Sequence, residues 1–170
     1  MFKNKKALII KICLVPCLVI LDLITKIFFD GKNFTLIPKV LSVCSHYNDG
    51  AAWGILGGKL WLLLVITILF LALIILFDVL FKSNNSLYSV AISFIMAGAL
   101  GNIIDRIFLG YVRDFIRFDF MNFPIFNLAD TCLCIGVALV LIYLIFFYRD
   151  PNKKVDEKPK SQDDKKVKDE

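Results

Sequence analysis

Four long apolar runs, roughly Ala7–Phe29, Leu60–Phe81, Leu87–Leu109 and Thr131–Tyr148, dominate this chain. Each matches a hydrocarbon core of about 30 Å at about 1.5 Å rise per residue, so the runs read as membrane spans. Lys11 and Asp22 interrupt the first run, near its two ends. The whole chain is 58% hydrophobic, against about 45–50% apolar residues in an ordinary soluble domain. Much of its charge is segregated: the last twenty-one positions, Asp150 to Glu170, hold seven lysines and seven acids. This distribution excludes a cytosolic enzyme, a DNA-binding module and a small secreted disulfide scaffold.

The net charge of +5 does not indicate nucleic acid, because Lys3, Lys5, Lys6 and Lys11 crowd the N-terminus and no basic stripe interleaved with aromatics follows. Five cysteines make an odd count, and Cys13, Cys17, Cys132 and Cys134 lie within apolar runs, where they read as small apolar filler. Cys44-Ser45-His46 and Cys132-Leu133-Cys134 lack zinc-site spacings, so no metal is expected.

Four spans put both termini on one side. The lysines before the first span, with Arg149, Lys153 and Lys154 after the last, assign that side to the cytoplasm. Lys26, Lys32, Lys39, Lys59, Arg113 and Arg117 fall on the opposite side and weaken the asymmetry. Trp61 and Tyr148 suit interfacial belts. The first segment has the basic start and apolar core of a signal peptide, and Leu14-Val15-Pro16-Cys17 is faintly like a lipoprotein cleavage box. Pro16 spoils that match and the apolar run continues, so the segment reads as a retained anchor with Pro16 a tolerated kink.

The connection from Lys82 to Ser86 has room only to turn. Asp30 to Lys59 has extended stretches at Phe34–Ile37 and Val40–Val43 and turn chemistry at Asn48-Asp49-Gly50; Gly110 to Asp130 has a partly alternating stretch, Val112 to Phe120. A small β-structure is therefore expected on the outer face. Residues 1–149 read as one four-span membrane core, and 150–170 as a disordered cytoplasmic tail.

Ionisable residues near apolar runs are costly to bury and mark functional candidates. Asp22 and Lys26 are four apart on one helix face, either as an ion pair snorkelling to the interface or as part of a site. The third run ends in Ala97-Gly98-Ala99-Leu100-Gly101-Asn102-Ile103-Ile104-Asp105-Arg106, whose small residues permit close helix approach. Asn102 and Arg106 share a face, with Asp105 beside them. Asp114 follows in the next loop, and Asp130 opens the fourth span sixteen residues later, with Asn127 placed as its N-cap. An outer loop of this length can bring the two carboxylates together. Such a pair cannot both ionise cheaply, so it holds one proton; the ionised member then takes a proton from water while the other polarises a carbonyl.

Five segments in order extend this pattern: Asp22-Leu23-Ile24-Thr25-Lys26, Asn48-Asp49-Gly50-Ala51-Ala52-Trp53, Gly98 to Arg106, Val112-Arg113-Asp114-Phe115 and Phe126-Asn127-Leu128-Ala129-Asp130. Over about residues 10 to 147 the sequence resembles the lipoprotein signal peptidase family, also called signal peptidase II. The resemblance implies a membrane all-α fold of four transmembrane helices with a small extracytoplasmic β-cradle. It further implies an aspartic endopeptidase of the bacterial cytoplasmic (inner) membrane that cuts diacylglyceryl-modified prolipoproteins just before the lipidated cysteine. Members of that family are blocked by the cyclic peptide globomycin. By motif position Asp114 and Asp130 correspond to the catalytic dyad, and Asn48, Asn102, Arg106, Asn127 and Asp22 to its supporting polar shell.

Lys26, Gly50 and Asp105 lie within the same segments and complete the candidate set. Gly50-Ala51-Ala52 either admits a substrate backbone or makes a tight turn after Asn48. An arginine close to one aspartate would lower that carboxyl's pKa. The expected partners are prolipoprotein and membrane lipid; no cofactor or nucleic acid is expected, and the protein is expected to be a monomer. The competing classes are a channel or proton-coupled transporter, with Asp22, Asp105, Asp114 and Asp130 as a relay, and a purely structural subunit. A relay needs ionisable residues mid-span, whereas these cluster near span ends.

Overall fold

In a computed structural model, the structure describes residues 5–51, 53, 55–81 and 83–148. The tail from Asp150, read as disordered, lies outside the described residues, as do Arg149 and the lysine at position 3. The element order is α1 (Lys5–Phe29), β1 (Asn33–Ile37), β2 (Leu41–Asn48), α2 (Leu60–Phe81), α3 (Ser86–Leu109), β3 (Val112–Phe118) and α4 (Leu128–Phe146). All four helices are long and apolar enough to cross a membrane. A helix is one of the two ways a chain can satisfy its backbone in lipid, which is why these runs fold as they do. Pro16 sits within α1 without ending it.

The central helix is α3, packed against each of the other three. Its own side chains are mostly buried, while those of α1, α2 and α4 mostly face outward. Outward side chains such as Leu80, Ile145 and Phe146 are large and apolar, an arrangement that suits lipid rather than water. Missing side chains set the approach of α4 to α3. A Cβ on Gly98 would collide with the Ala129 carbonyl oxygen, and one on Gly136 would stand 2.9 Å from the Ala91 carbonyl oxygen. The small residues of the third run thus serve the contact their sequence predicts.

The strands form one antiparallel sheet in the order β1-β2-β3. β3 stops at Phe118, two residues short of the predicted stretch, where the Asp119 N–H donates to the Val40 carbonyl and the chain turns away. β2 begins at Leu41 because Lys39, at φ 62°, and Val40 make the hairpin turn. Phe29, at the end of α1, stacks on Phe115 of β3 with ring centroids 4.9 Å apart, tying the sheet to the bundle.

The largest boundary difference falls at α4, which begins at Leu128 rather than Thr131. Asn127 accepts from the Asp130 N–H at 2.9 Å while the Asp130 side chain accepts from the Asn127 N–H at 3.2 Å. This reciprocal capping box starts the helix early and puts Asp130 in its first turn. The second run also carries an ionisable residue that the hydropathy pattern conceals: Asp78 pairs with Lys11 of α1 at 2.5 Å, at the end of the bundle away from the sheet.

Candidate active site

The polar residues of the five segments converge where the sheet meets the bundle. The loop before α4 is held against β3 by an isolated bridge. Phe115 and Ile116 donate their N–H groups to the Phe126 carbonyl at 3.0 and 2.8 Å, and the Phe126 N–H returns to Ile116 at 3.0 Å. That bridge sets Asn127, the next residue, beside Asp114.

Asp114 is buried, and both its oxygens accept amide N–H groups: Asn127 Nδ2 at 2.7 Å on one and Asn48 Nδ2 at 2.9 Å on the other. Asp130 is half-buried and accepts from Asn102 Nδ2 at 2.7 Å. Asn102 Oδ1 in turn accepts from Asn127 Nδ2 at 3.1 Å, so Asn102 and Asn127 link the two carboxylates through one continuous chain of hydrogen bonds. Burial, followed by the neighbouring Asp130 charge, pushes the Asp114 carboxyl up to about 7 against the pull of the Asn48 and Asn127 amides and the Lys26 charge.

The Arg106 guanidinium interacts electrostatically with both Asp130 and Asp114. Arg106 Nη2 donates to the Gly50 carbonyl at 3.0 Å, and burial dominates at Asp114. The Gly50 N–H donates to Asn48 Oδ1 at 2.9 Å, closing a tight turn beside the Asn48 amide that meets Asp114.

Asp22 and Lys26 are fully buried, at 1% and 0% exposure, so the pair does not snorkel to the interface. Lys26 Nζ lies 2.8 Å from Asp22 Oδ2 and 3.6 Å from Asp105 Oδ2, and donates to Asn102 Oδ1 at 3.0 Å and the Gly101 carbonyl at 3.2 Å. The reason is packing: α1 approaches α3 at Gly101, where a Cβ would stand 2.5 Å from Asp22 Oδ2. The other Asp22 oxygen accepts from the Ala129 N–H at 2.8 Å, in the first turn of α4. That N–H has no partner within its own helix, so the carboxylate docks α4 on α1.

Asp105 stands apart from the two linked aspartates. It is clamped by Arg113, whose Nη2 lies 2.7 Å from Oδ1 and whose backbone N–H donates to Oδ2 at 3.0 Å. The sequence places Arg113 beside Asp114 without a role in the site, and the fold supplies one. Its clamp fixes β3 to α3 one residue from Asp114.

A family model described as "Signal peptidase (SPase) II" matches residues 14–146. The chain belongs to the signal peptidase II family. The chain is 48% identical over 134 residues to a lipoprotein signal peptidase of Staphylococcus carnosus (strain TM300), an alignment that covers 75% of this chain and 84% of the relative. With a lipoprotein signal peptidase of Staphylococcus aureus the identity is 44% over 149 residues, covering 84% and 90%. A solved structure described as "Bacterial membrane enzyme structure by the in meso method at 2.3 A resolution" superposes with a TM-score of 0.76 at 41% identity. That superposition covers 85% of this chain and 93% of the other. As a member of this family the chain is a protease, with a multi-pass bacterial membrane fold. All five sequence segments fall within residues 14–146.

Proposed function

We propose that this protein is an aspartic endopeptidase that removes the signal peptide from diacylglyceryl-modified prolipoproteins, cutting just before the lipidated cysteine, with Asp114 and Asp130 as its dyad. The observation that carries this reading is the hydrogen-bonded link from Asp114 through Asn127 and Asn102 to Asp130. Asp114, buried and pushed up to about 7, holds the proton. We assign the base role to Asp130, which is half-buried and accepts from Asn102 Nδ2 at 2.7 Å.

In the reaction Asp130 accepts a proton from a water whose oxygen attacks the scissile carbonyl carbon, while Asp114 donates its proton to the carbonyl oxygen. The tetrahedral intermediate collapses as Asp130 returns its proton to the leaving nitrogen and Asp114 recovers its own, breaking the C–N bond. Asn48, Asn102 and Asn127 hold the carboxyl groups in place, and Asp22, Lys26, Asp105, Arg106 and Gly50 hold those asparagines and their helices. No metal or cofactor enters this scheme.

The site lies at the sheet end of the bundle, which we assign to the outer face of the cytoplasmic membrane, with both termini in the cytoplasm. There the substrate's acyl chains remain in lipid while its scissile bond meets the carboxylates. The working unit is a monomer. The deciding experiment is cleavage of a diacylglyceryl-modified prolipoprotein by purified protein in detergent. Wild type is expected to cut before the lipidated cysteine, and Asp114→Asn to be inactive. Cleavage that survives Asp114→Asn would overturn the dyad.

A further inference from the structure

Lys26 is an ammonium group with no exposure at all, set in α1 between two carboxylates. Neutralising Asp22 would explain an ion pair, but not the hydrogen bond to Asn102 Oδ1 at 3.0 Å. That bond has a consequence set by valence. A lysine has only donors, so the Asn102 amide must present its oxygen to Lys26 and its nitrogen away from it. The nitrogen then falls 2.7 Å from Asp130 Oδ1. With the amide reversed, Asn102 would face Lys26 with N–H groups and Asp130 with a carbonyl oxygen, leaving both charges opposed by like partners.

We infer that Lys26 is a positioning residue of the dyad: its ammonium fixes the Asn102 amide so that an N–H, rather than an oxygen, meets Asp130. The inference rests on the assignment of Asp114 and Asp130 as the reacting pair. Asn127 supplies a second donor to Asn102 Oδ1 at 3.1 Å, but it is neutral and is held by its own capping bond to the Asp130 N–H. Lys26 is thus the cationic end of the chain Lys26–Asn102–Asp130, and charge-assisted bonds are the stronger ones.

Other charged and titratable groups surround this chain. Asp22 faces Lys26 from α1; Asp105 and Arg106 come from α3, Arg113 and Asp114 from β3, and Cys132 and Asp130 from α4. Exposed His46 of β2 is the register partner of Asp114. None of these groups donates to Asn102, so among the described residues Lys26 is the cation that does.

The test compares kcat, KM and the pH profile of prolipoprotein cleavage for wild type, Lys26→Gln, Lys26→Arg and the double variant Asp22→Asn/Lys26→Met. The double variant leaves no orphaned buried carboxylate, so it keeps the test open where a single variant fails to fold. Lys26→Gln and the double variant are expected to lose kcat by about ten- to hundredfold with KM little changed. The alkaline limb of Lys26→Gln is expected to move up by about half a pH unit or more, because a cation has left the neighbourhood of Asp114, and that of the double variant, which also loses the Asp22 anion, to move less in the same direction. Lys26→Arg is expected to keep the limb in place. Folded variants whose profiles superimpose on wild type after scaling would overturn the inference and leave Lys26 a structural residue. Failure of the dyad itself reads differently: Asp114→Asn, assayed alongside, would then still cleave.

Discussion

Asn127 Nδ2 lies 2.7 Å from Asp114 Oδ1, and the same asparagine caps the helix that carries Asp130. One side chain therefore starts α4 and sets the spacing of the two carboxyl groups. The catalytic proposal and the local folding of α4 meet in that residue.

Because the two aspartates act on one water and one carbonyl, removing either should abolish the shared step. Asp114→Asn, Asp130→Asn and the double variant are expected to lose similar activity, by about four orders of magnitude or more. Single-turnover cleavage checks this. A double variant far slower than either single would show two independent contributions.

The Asp114 carboxyl, raised to about 7 by burial and by the Asp130 charge, sets a pH dependence. Cleavage needs this group protonated, so kcat/KM is expected to fall as pH rises through about 7. Folding stability follows the same sign. A carboxyl whose folded pKa lies above its unfolded value of 3.8 contributes stability that is lost between about pH 4 and about pH 7. Thermal unfolding in detergent should show that slope in wild type and a flatter one in Asp114→Asn.

Gly101 is the point where α1, α3 and α4 meet, with room for no side chain: a Cβ would stand 2.5 Å from Asp22 Oδ2 and 3.2 Å from the Ala129 Cβ. Gly101→Ala is expected to destabilise the fold by about 1–3 kcal/mol through overpacking. It should also lower activity, because it displaces the neighbours of Asn102. Unfolding in detergent and cleavage at the same temperature check the two effects; unchanged values would contradict the close approach.

At the far end of the bundle, Lys11 and Asp78 join α1 to α2. Lys11→Met leaves a carboxylate without its partner in an apolar setting and is expected to destabilise the protein by about 2 kcal/mol or more. Lys11→Met/Asp78→Leu removes both charges and should recover most of that loss, while single-site and double variants retain cleavage when folded. A double variant no better than Lys11→Met would show that the pair contributes by packing rather than charge.

Much of this protein is written in its sequence. Four apolar runs leave a lipid-embedded backbone little choice but helix, and the small residues from Ala97 to Gly101 mark a close approach of helices. Asn127 three residues before Asp130 forms the capping box that its spacing allows. These features depend on near neighbours along the chain, which is why pattern and spacing reach them. The burial of Lys26 and Asp22, the Arg113 clamp on Asp105, the Phe126 bridge and the Lys11–Asp78 pair join residues from different elements. Whether a charge four residues from another snorkels to the surface or is sealed inside depends on what packs over it. Here α3 and α4 close over Asp22 and Lys26 because Gly101 lets them approach, a choice made by tertiary packing alone.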